Sequence, residues 1–518
     1  MRNTAHVVSL SASAADNNSQ QLSSSNVLIL SDNAPSWQEL QKLVHGTPTG
    51  SRLQTEETLR QRGQGPPHTD ALLRLFQEKD ETNVRVTLYR DHAGWCPYCQ
   101  KVWLLLELKQ IPYRVQKVPM NAYGDKPAWY TRKVDGGKLP ALELDGELHV
   151  ESLDIMKLLD QTFPNPPMMI PDDDETNNQL QHQRYQSLLS LEQALQQDWF
   201  SLVFYPVSGE ALQKANKTML HTLAKVDQEL SVTDRPWFLG GDTPSLVDIQ
   251  YIADMERIIP SVLYWKGWDI RSCTLPHFQR WLTAWEALPA YTASRSDYYT
   301  HMTVIPSQNG PGYMIPEAKR IASRISGLVD GAWHLPLPQD SLEQFQIQSS
   351  STTIDDNNPA IEAAYKLVKN HVNITQFACR GAGEPGRPAF HAELADPYAE
   401  PNEEYVQGVD VCLRHVTHAL VAGSSVAEAT AQADLAGKQG NDALRENWEA
   451  YPDENDPSLT YYWNYENGEV TWTPPTQQLD TCLTYLRDRI GVPRDMSGAA
   501  AMQLRAYLNW AVDMMRKS

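Results

Sequence analysis

Val84-Arg-Val-Thr-Leu-Tyr89, Trp95-Cys-Pro-Tyr-Cys99 and the apolar run behind them decide how this chain folds. The first segment alternates apolar and polar residues, the period of a half-buried strand. Residues 100–110 hold Val102, Trp103, Leu105, Leu106 and Leu108, which predicts a helix packed into a core. The Cys-x-x-Cys pair therefore stands between a strand and a helix N-terminus. There Cys96 faces unpaired backbone N–H groups and the positive end of the helix dipole, and both stabilise a thiolate. Pro97 fits the first turn, where its missing N–H costs nothing. Cys99, three residues on, is placed to resolve a mixed disulfide at Cys96. Two other readings compete with a redox site: inert core thiols and a zinc knuckle. The knuckle needs four ligands, and no second Cys-x-x-Cys or His pair follows at finger spacing.

Working outward, Pro112-Tyr-Arg-Val-Gln-Lys-Val118 reads as a second strand. Residues 136–152 read as a hairpin turning at Asp145-Gly146, a strong turn pair, and running into a helix over 153–160. Pro140, just ahead of an apolar strand, invites a cis peptide. Ser152 at a helix start can cradle an anion or serve as a plain cap.

Cys96-Pro-Tyr-Cys, Lys126-Pro-Ala-Trp-Tyr, Leu139-Pro140 and Glu151-Ser152 together resemble the thioredoxin-like half of cysteine-type glutathione transferases, over about 83–165. The resemblance implies glutathione as cosubstrate and Cys96 as the residue that forms a mixed disulfide with it. It also implies that Lys126 meets the glycyl carboxylate of glutathione. Leu139 would bond its cysteinyl backbone beside cis-Pro140, and Glu151 and Ser152 would hold the γ-glutamyl end. The helical half of such a transferase is expected over 172–300. There Ser245-x-x-Asp248 precedes an apolar run as a capping-box variant, and Trp281 and Trp285 read as core. Cys99, a long C-terminal extension, Leu394-Ala-Asp-Pro-Tyr-Ala and Gly491-Val-Pro-Arg-Asp-Met resemble the iota class of photosynthetic organisms, over roughly 80–440 and 479–516.

Composition narrows the function classes. The 518 residues predict three to four domains. With 44 Lys+Arg against 64 Asp+Glu the net charge is −20, which repels nucleic acid, and no basic run offsets it. The longest apolar run, residues 102–106, is far short of the ~20 residues of a membrane helix. Six cysteines are too few for a disulfide scaffold and point to a reducing intracellular compartment, cytoplasm or plastid. Residues 1–35 read as an unstructured arm or a transit peptide. Residues 36–82 read as an extension with one short helix at 69–77, and 302–358 as a linker holding the run Leu335-Pro-Leu-Pro.

A third domain of unknown role, α+β in class, is expected over 359–446 and 479–518, with a strand at 372–379. Its Gly381-x-Gly-x-x-Gly386 lacks the following helix that a dinucleotide fingerprint needs. Cys412, His415 and His418 lie on one helix face, with Cys379 and His391 elsewhere, and read as satisfied core residues; no metal site is expected. Between the two halves, residues 447–476 carry Trp448 and Trp472, the turn Asn467-Gly468 and Pro475. This stretch resembles a WW domain, a small three-stranded β module. The resemblance implies a buckle of Trp448, Tyr462 and Pro475, and a groove of Tyr461 and Trp472 for a proline-rich partner, Leu335-Pro-Leu-Pro being one candidate. Val470 stands where the family often has Ser or Thr, and a β insert packed on its host is the competing reading.

The expected architecture is thus a thioredoxin-like α/β domain, an all-α transferase domain, the third domain and the WW-like module. The expected activity is glutathione-dependent thiol transfer or reduction of a small oxidised or glutathionylated substrate. An electrophile-conjugating transferase and a non-enzymatic redox-sensing scaffold are the alternatives.

Overall fold

Five strands pair in the order β1-β3-β2-β4-β5: β1 Leu73–Arg74, β2 Val86–Asp91, β3 Tyr113–Val118, β4 Ala141–Leu144 and β5 Glu147–Val150. The computed structural model describes residues 32–169, 175–329, 331–338, 357–436, 448–452, 460–464, 470–471 and 479–516. β2 runs parallel to β3 and antiparallel to β4, with Val86 opposite Tyr113 and Tyr89 opposite Ala141. The parallel pair needs a crossover, and helix Pro97–Leu108 supplies it. That helix packs with helix Ser152–Thr162 through Val102, Leu105, Leu106, Ile155 and Leu159, all buried.

The same core continues into an all-helical unit. Helices Glu175–Val203, Gly209–Leu230 and Leu246–Lys266 bury Leu195, Leu223, Ile252 and Ile258 in one cluster with the sheet's Val86 and Leu88. Ser245 and Asp248 form the expected capping box, and Asp248 also accepts from the indole of Trp281 at 2.8 Å. Trp281 and Trp285 are fully buried.

The structure corrects the expectation for 36–82. Two helices stand there, Trp37–His45 and Pro48–Gln61, while 73–74 is the edge strand β1 and not a helix. Arg74 decides this: β1 carries its guanidinium to Glu107 in a buried two-pronged pair, at 2.8 and 2.9 Å. Leu40 and Val44 insert into the C-terminal core. Each such burial contributes about 1.5–3 kcal/mol, which anchors a nine-residue helix too short to stand alone.

The C-terminal unit is also corrected. Residues 372–379, expected as a strand, complete helix Pro359–Cys379, so this unit is helical among the described residues and not α+β. Val372 and Ile374 favour strands, but the helix buries one face against helices Val406–Ala422 and Gly498–Arg516, and packing overrides propensity. Among the described residues of this unit the only strand-like pairing is the isolated bridge between Glu384 and Glu400. There a Cβ on Gly383 would lie 1.8 Å from the Glu400 carbonyl oxygen, so close backbone approach accounts for that glycine. His415 bonds Asp434 at 2.7 Å inside the core, beside buried Cys412.

The described residues of the stretch read as a linker are built into the fold. Its first residues finish helix Tyr298–Asn309, Lys319–Ile325 is helical, and Trp333 is buried. Leu335 and Leu337 pack against the C-terminal unit, so Leu335-Pro-Leu-Pro is part of the body. Arg505 of the C-terminal unit pairs with Asp297 at 2.5 Å, both buried, and locks that unit to the helical one. A second, three-stranded antiparallel sheet is formed by β6 Trp448–Pro452, β7 Thr460–Asn464 and β8 Val470–Thr471.

Candidate active site

Cys96 is the N-cap of helix Pro97–Leu108, and Pro97 is its first residue, as expected. Its side chain caps no backbone N–H, so the sulfur is left for other partners. Both cysteines are buried, Cys96 at 7% exposure and Cys99 at 1%. Burial first, then the neighbouring Cys96, push the Cys99 thiol well above the usual cysteine range.

The register of the sheet gathers the other expected residues at one end. Tyr89 lies opposite Ala141, and Ala141 opposite Val150. Continued by one or two residues, these pairings bring Leu139 and Pro140 alongside both the loop that leads to Cys96 and the step to Glu151. The Leu139–Pro140 bond is cis, as anticipated. Glu151, and not Ser152, is the N-cap of helix Ser152–Thr162; Ser152 is the first helical residue. Glu151 sits at φ 65°, a left-handed conformation that costs a non-glycine residue about 1–3 kcal/mol. Its exposed carboxylate meets Lys138 at 3.2 Å, a contact that solvent screens. Lys126 donates to the Gly137 carbonyl. Burial pushes its ammonium below the usual lysine range.

The helical unit clamps the start of the cysteine helix, and this the sequence reading missed. Arg257 donates to the Trp95 carbonyl at 3.0 Å and to Gln100 Oε1 at 2.6 Å. Gln100 Nε2 donates to Glu256 Oε2 at 2.7 Å. Burial pushes the Glu256 carboxyl up, but Arg257 and His301 hold it below the usual carboxylate range. One residue further on, Lys101 lies between Asp254 at 3.3 Å and Glu192 at 3.7 Å, with the exposed Tyr98 ring over its ammonium. From the other side Asp91 accepts the Trp95 N–H at 2.6 Å. A signal existed: Asp254, Glu256 and Arg257 are charges inside the apolar run of helix Leu246–Lys266.

Of the expected proline-binding pair, Tyr461 lies on β7 opposite Tyr451, and Trp472 lies outside the described residues, as does Pro475.

Residues 95–162 match the family profile described as Glutathione S-transferase, N-terminal domain. The chain is 31% identical over 207 residues to Protein IN2-1 homolog B of Oryza sativa subsp. indica, spanning 40% of this chain and 78% of that relative. It is 30% identical over 208 residues to Glutathione S-transferase L2, chloroplastic, of Arabidopsis thaliana, covering 39% and 64%. Glutathione S-transferase DHAR2 of Arabidopsis thaliana matches at 24% over 180 residues, covering 35% and 75%.

Proposed function

The chain belongs to the glutathione S-transferase family, and from that premise we propose that it is a thiol transferase or reductase working through Cys96. Glutathione is the cosubstrate. It lies along Leu139, cis-Pro140, Glu151 and Ser152, with Lys126 toward its glycyl carboxylate. The Cys96 thiolate attacks the glutathionyl sulfur of a mixed disulfide. An S–S bond forms between Cys96 and glutathione, and the substrate leaves as a thiolate that takes up a proton. A second glutathione thiolate then attacks the adduct, releasing oxidised glutathione and restoring Cys96. With an oxidised small molecule of the dehydroascorbate type, two reduced glutathiones are consumed instead, supplying the two electrons and leaving together as oxidised glutathione.

The single observation that carries this reading is the place of Cys96 as the N-cap of helix Pro97–Leu108, with buried Cys99 in the first turn of the same helix. A cysteine at a helix N-terminus is placed to act as the nucleophile, whereas transfer of glutathione to an electrophile is ill served by a nucleophile that takes the adduct itself. Burial holds the Cys99 thiol above the usual cysteine range, so the second glutathione resolves the adduct and Cys99 is the slower, alternative resolver. The test is mass spectrometry of the protein after incubation with oxidised glutathione. One glutathione adduct at Cys96, removed by reduced glutathione, is the expected result; no adduct, or one elsewhere, rejects the assignment.

Three finer readings accompany this one. The iota class is supported by the two C-terminal motifs and by a C-terminal unit fused to the transferase core. The WW-like module, with Tyr461 and Trp472 clasping a proline-rich partner, is supported by the antiparallel order β6-β7-β8. Residence in cytoplasm or plastid is supported by the chloroplastic relative.

A further inference from the structure

Leu394-Ala-Asp-Pro-Tyr-Ala and Gly491-Val-Pro-Arg-Asp-Met lie about a hundred residues apart in sequence, yet both contribute to the wall of one pocket. The sheet unit contributes His92, Trp95 and Tyr123 to it, and helix Tyr298–Asn309 contributes Tyr299 and Val304. Its volume is about 150 Å³, the size of an engineered cavity that holds one benzene ring. Cys96 is not in its wall, and neither are Lys126, Leu139, Glu151 or Ser152.

The chemistry of the wall is specific. Aromatic rings line it from three sides: Trp95 against Tyr123 (centroids 5.1 Å apart), Tyr299, and Phe377 against Tyr485 (5.4 Å). Three arginines line it in a chain of net charge −20. Arg494 is neutralised by Asp495 at 2.7 Å, but Arg380 and Arg489 have no carboxylate within ion-pair distance among the described residues. Arg489 stacks on Tyr485 and spends Nε and Nη1 on the carbonyls of Leu394 and Tyr485, which leaves Nη2 unbonded among the described residues. Of the wall carboxylates, Asp488 is taken by Arg487 at 2.8 Å and Asp396 accepts the Gly386 N–H at 2.9 Å. Arg380 and Arg489 thus stand against Asp396 alone, and the wall keeps a positive excess. Half-buried His92 lines the same wall.

We propose that this pocket is a second binding site, separate from the thiol site, for a small flat organic carboxylate. Its ring lies among Trp95, Tyr123 and Tyr485, and its carboxylate takes the guanidinium of Arg489, with Arg380 and His92 in support. An aromatic slot with excess positive charge selects for both features at once, ring and charge.

The experiment is calorimetric titration of the full chain with benzoate, and with benzamide (ring without charge) and acetate (charge without ring). Benzoate should bind and the other two should bind at least roughly tenfold more weakly, the worth of a charge-assisted bond. Arg489→Gln should weaken benzoate by a similar factor, and Ala395→Phe, which fills the pocket from another element, should abolish binding. Excess glutathione should leave the benzoate affinity unchanged. Absence of benzoate binding by wild type, equal binding of benzamide, indifference to both variants, or displacement by glutathione would each overturn the proposal.

Discussion

Arg257 reaches from the helical unit to the carbonyl of Trp95, at 3.0 Å, and so holds the backbone one residue before Cys96. The sulfur's position is therefore set by two units at once: the strand–loop–helix that carries it and a buried guanidinium from elsewhere in the chain. Arg257 is 4% exposed and also bonds Gln100 and the Ala253 carbonyl. Arg257→Met should cost about 3–5 kcal/mol of stability, because Glu256 is left buried with less compensation. Thiol-transfer turnover should fall more than glutathione affinity does, since the variant frees the Cys96 loop without touching the glutathione contacts. Denaturant unfolding and a comparison of kcat with KM for glutathione check this; equal changes in both kinetic constants would assign Arg257 a purely structural role.

Cys96→Ser should abolish thiol transfer, whereas Cys99→Ser should retain part of it, because a second glutathione can resolve the adduct. Iodoacetamide labelling followed by peptide mapping should find Cys96 modified ahead of Cys273, the half-exposed cysteine of the helical unit. Equal loss of activity in the two variants would make the dithiol route obligatory.

Glu151→Ala should weaken glutathione binding by about 1.5–3 kcal/mol, the scale of a hydrogen bond to a charged group. The unliganded protein should lose little stability, since the Lys138 contact is exposed. Calorimetry with reduced glutathione checks the affinity, and an unchanged dissociation constant would remove Glu151 from the site.

Glu192 gives the site a pH signature. Burial, then its bond with Asp254, push its carboxyl up to about 8, against about 4.3 in an unfolded chain. Asp254 stays ionised beside Lys101, which outweighs the upward push of its burial. Because the folded value is raised, the native state keeps a proton that the unfolded state releases. The contribution of Glu192 is fully present below about pH 4.3 and is lost as pH rises toward about 8. Glu192→Gln should remove that slope, so its stability relative to wild type should be more favourable at about pH 9 than at about pH 5. Unfolding curves at the two pH values check this; an unchanged difference would exclude Glu192 as the titrating group.

The β6-β7-β8 unit should bind proline-rich peptides through Tyr461 and Trp472, a ligand that loses little entropy because it is already extended. Peptide titration followed by tryptophan fluorescence should saturate with wild type and fail with Trp472→Ala. If neither protein responds, the unit is a structural insert.

The sequence by itself determined the local parts whose signals are short-range. The alternation of 84–89, the Asp145-Gly146 turn, the Pro97 start of the helix and the Ser245/Asp248 cap each depend on residues within a few positions of one another. So did the placing of Cys96 at a helix N-terminus, which needs only a strand, a turn and an apolar helix in order. What the tertiary structure alone decided depends on partners far along the chain. Residues 69–77 carried helical spacing, yet Arg74 belongs to an edge strand because Glu107 waits beside β3. Residues 372–379 carried strand-forming side chains, yet they are helical because their neighbours are helices from 406–422 and 498–516. The docking of Leu40 and Val44 into the C-terminal core and the Arg257 clamp behind Cys96 belong to the same class. The reason is physical: local preferences amount to a few tenths of a kcal/mol per residue up to about one. Burial of one apolar side chain, or pairing of one buried charge, is worth several times that, and only the folded chain brings those partners together.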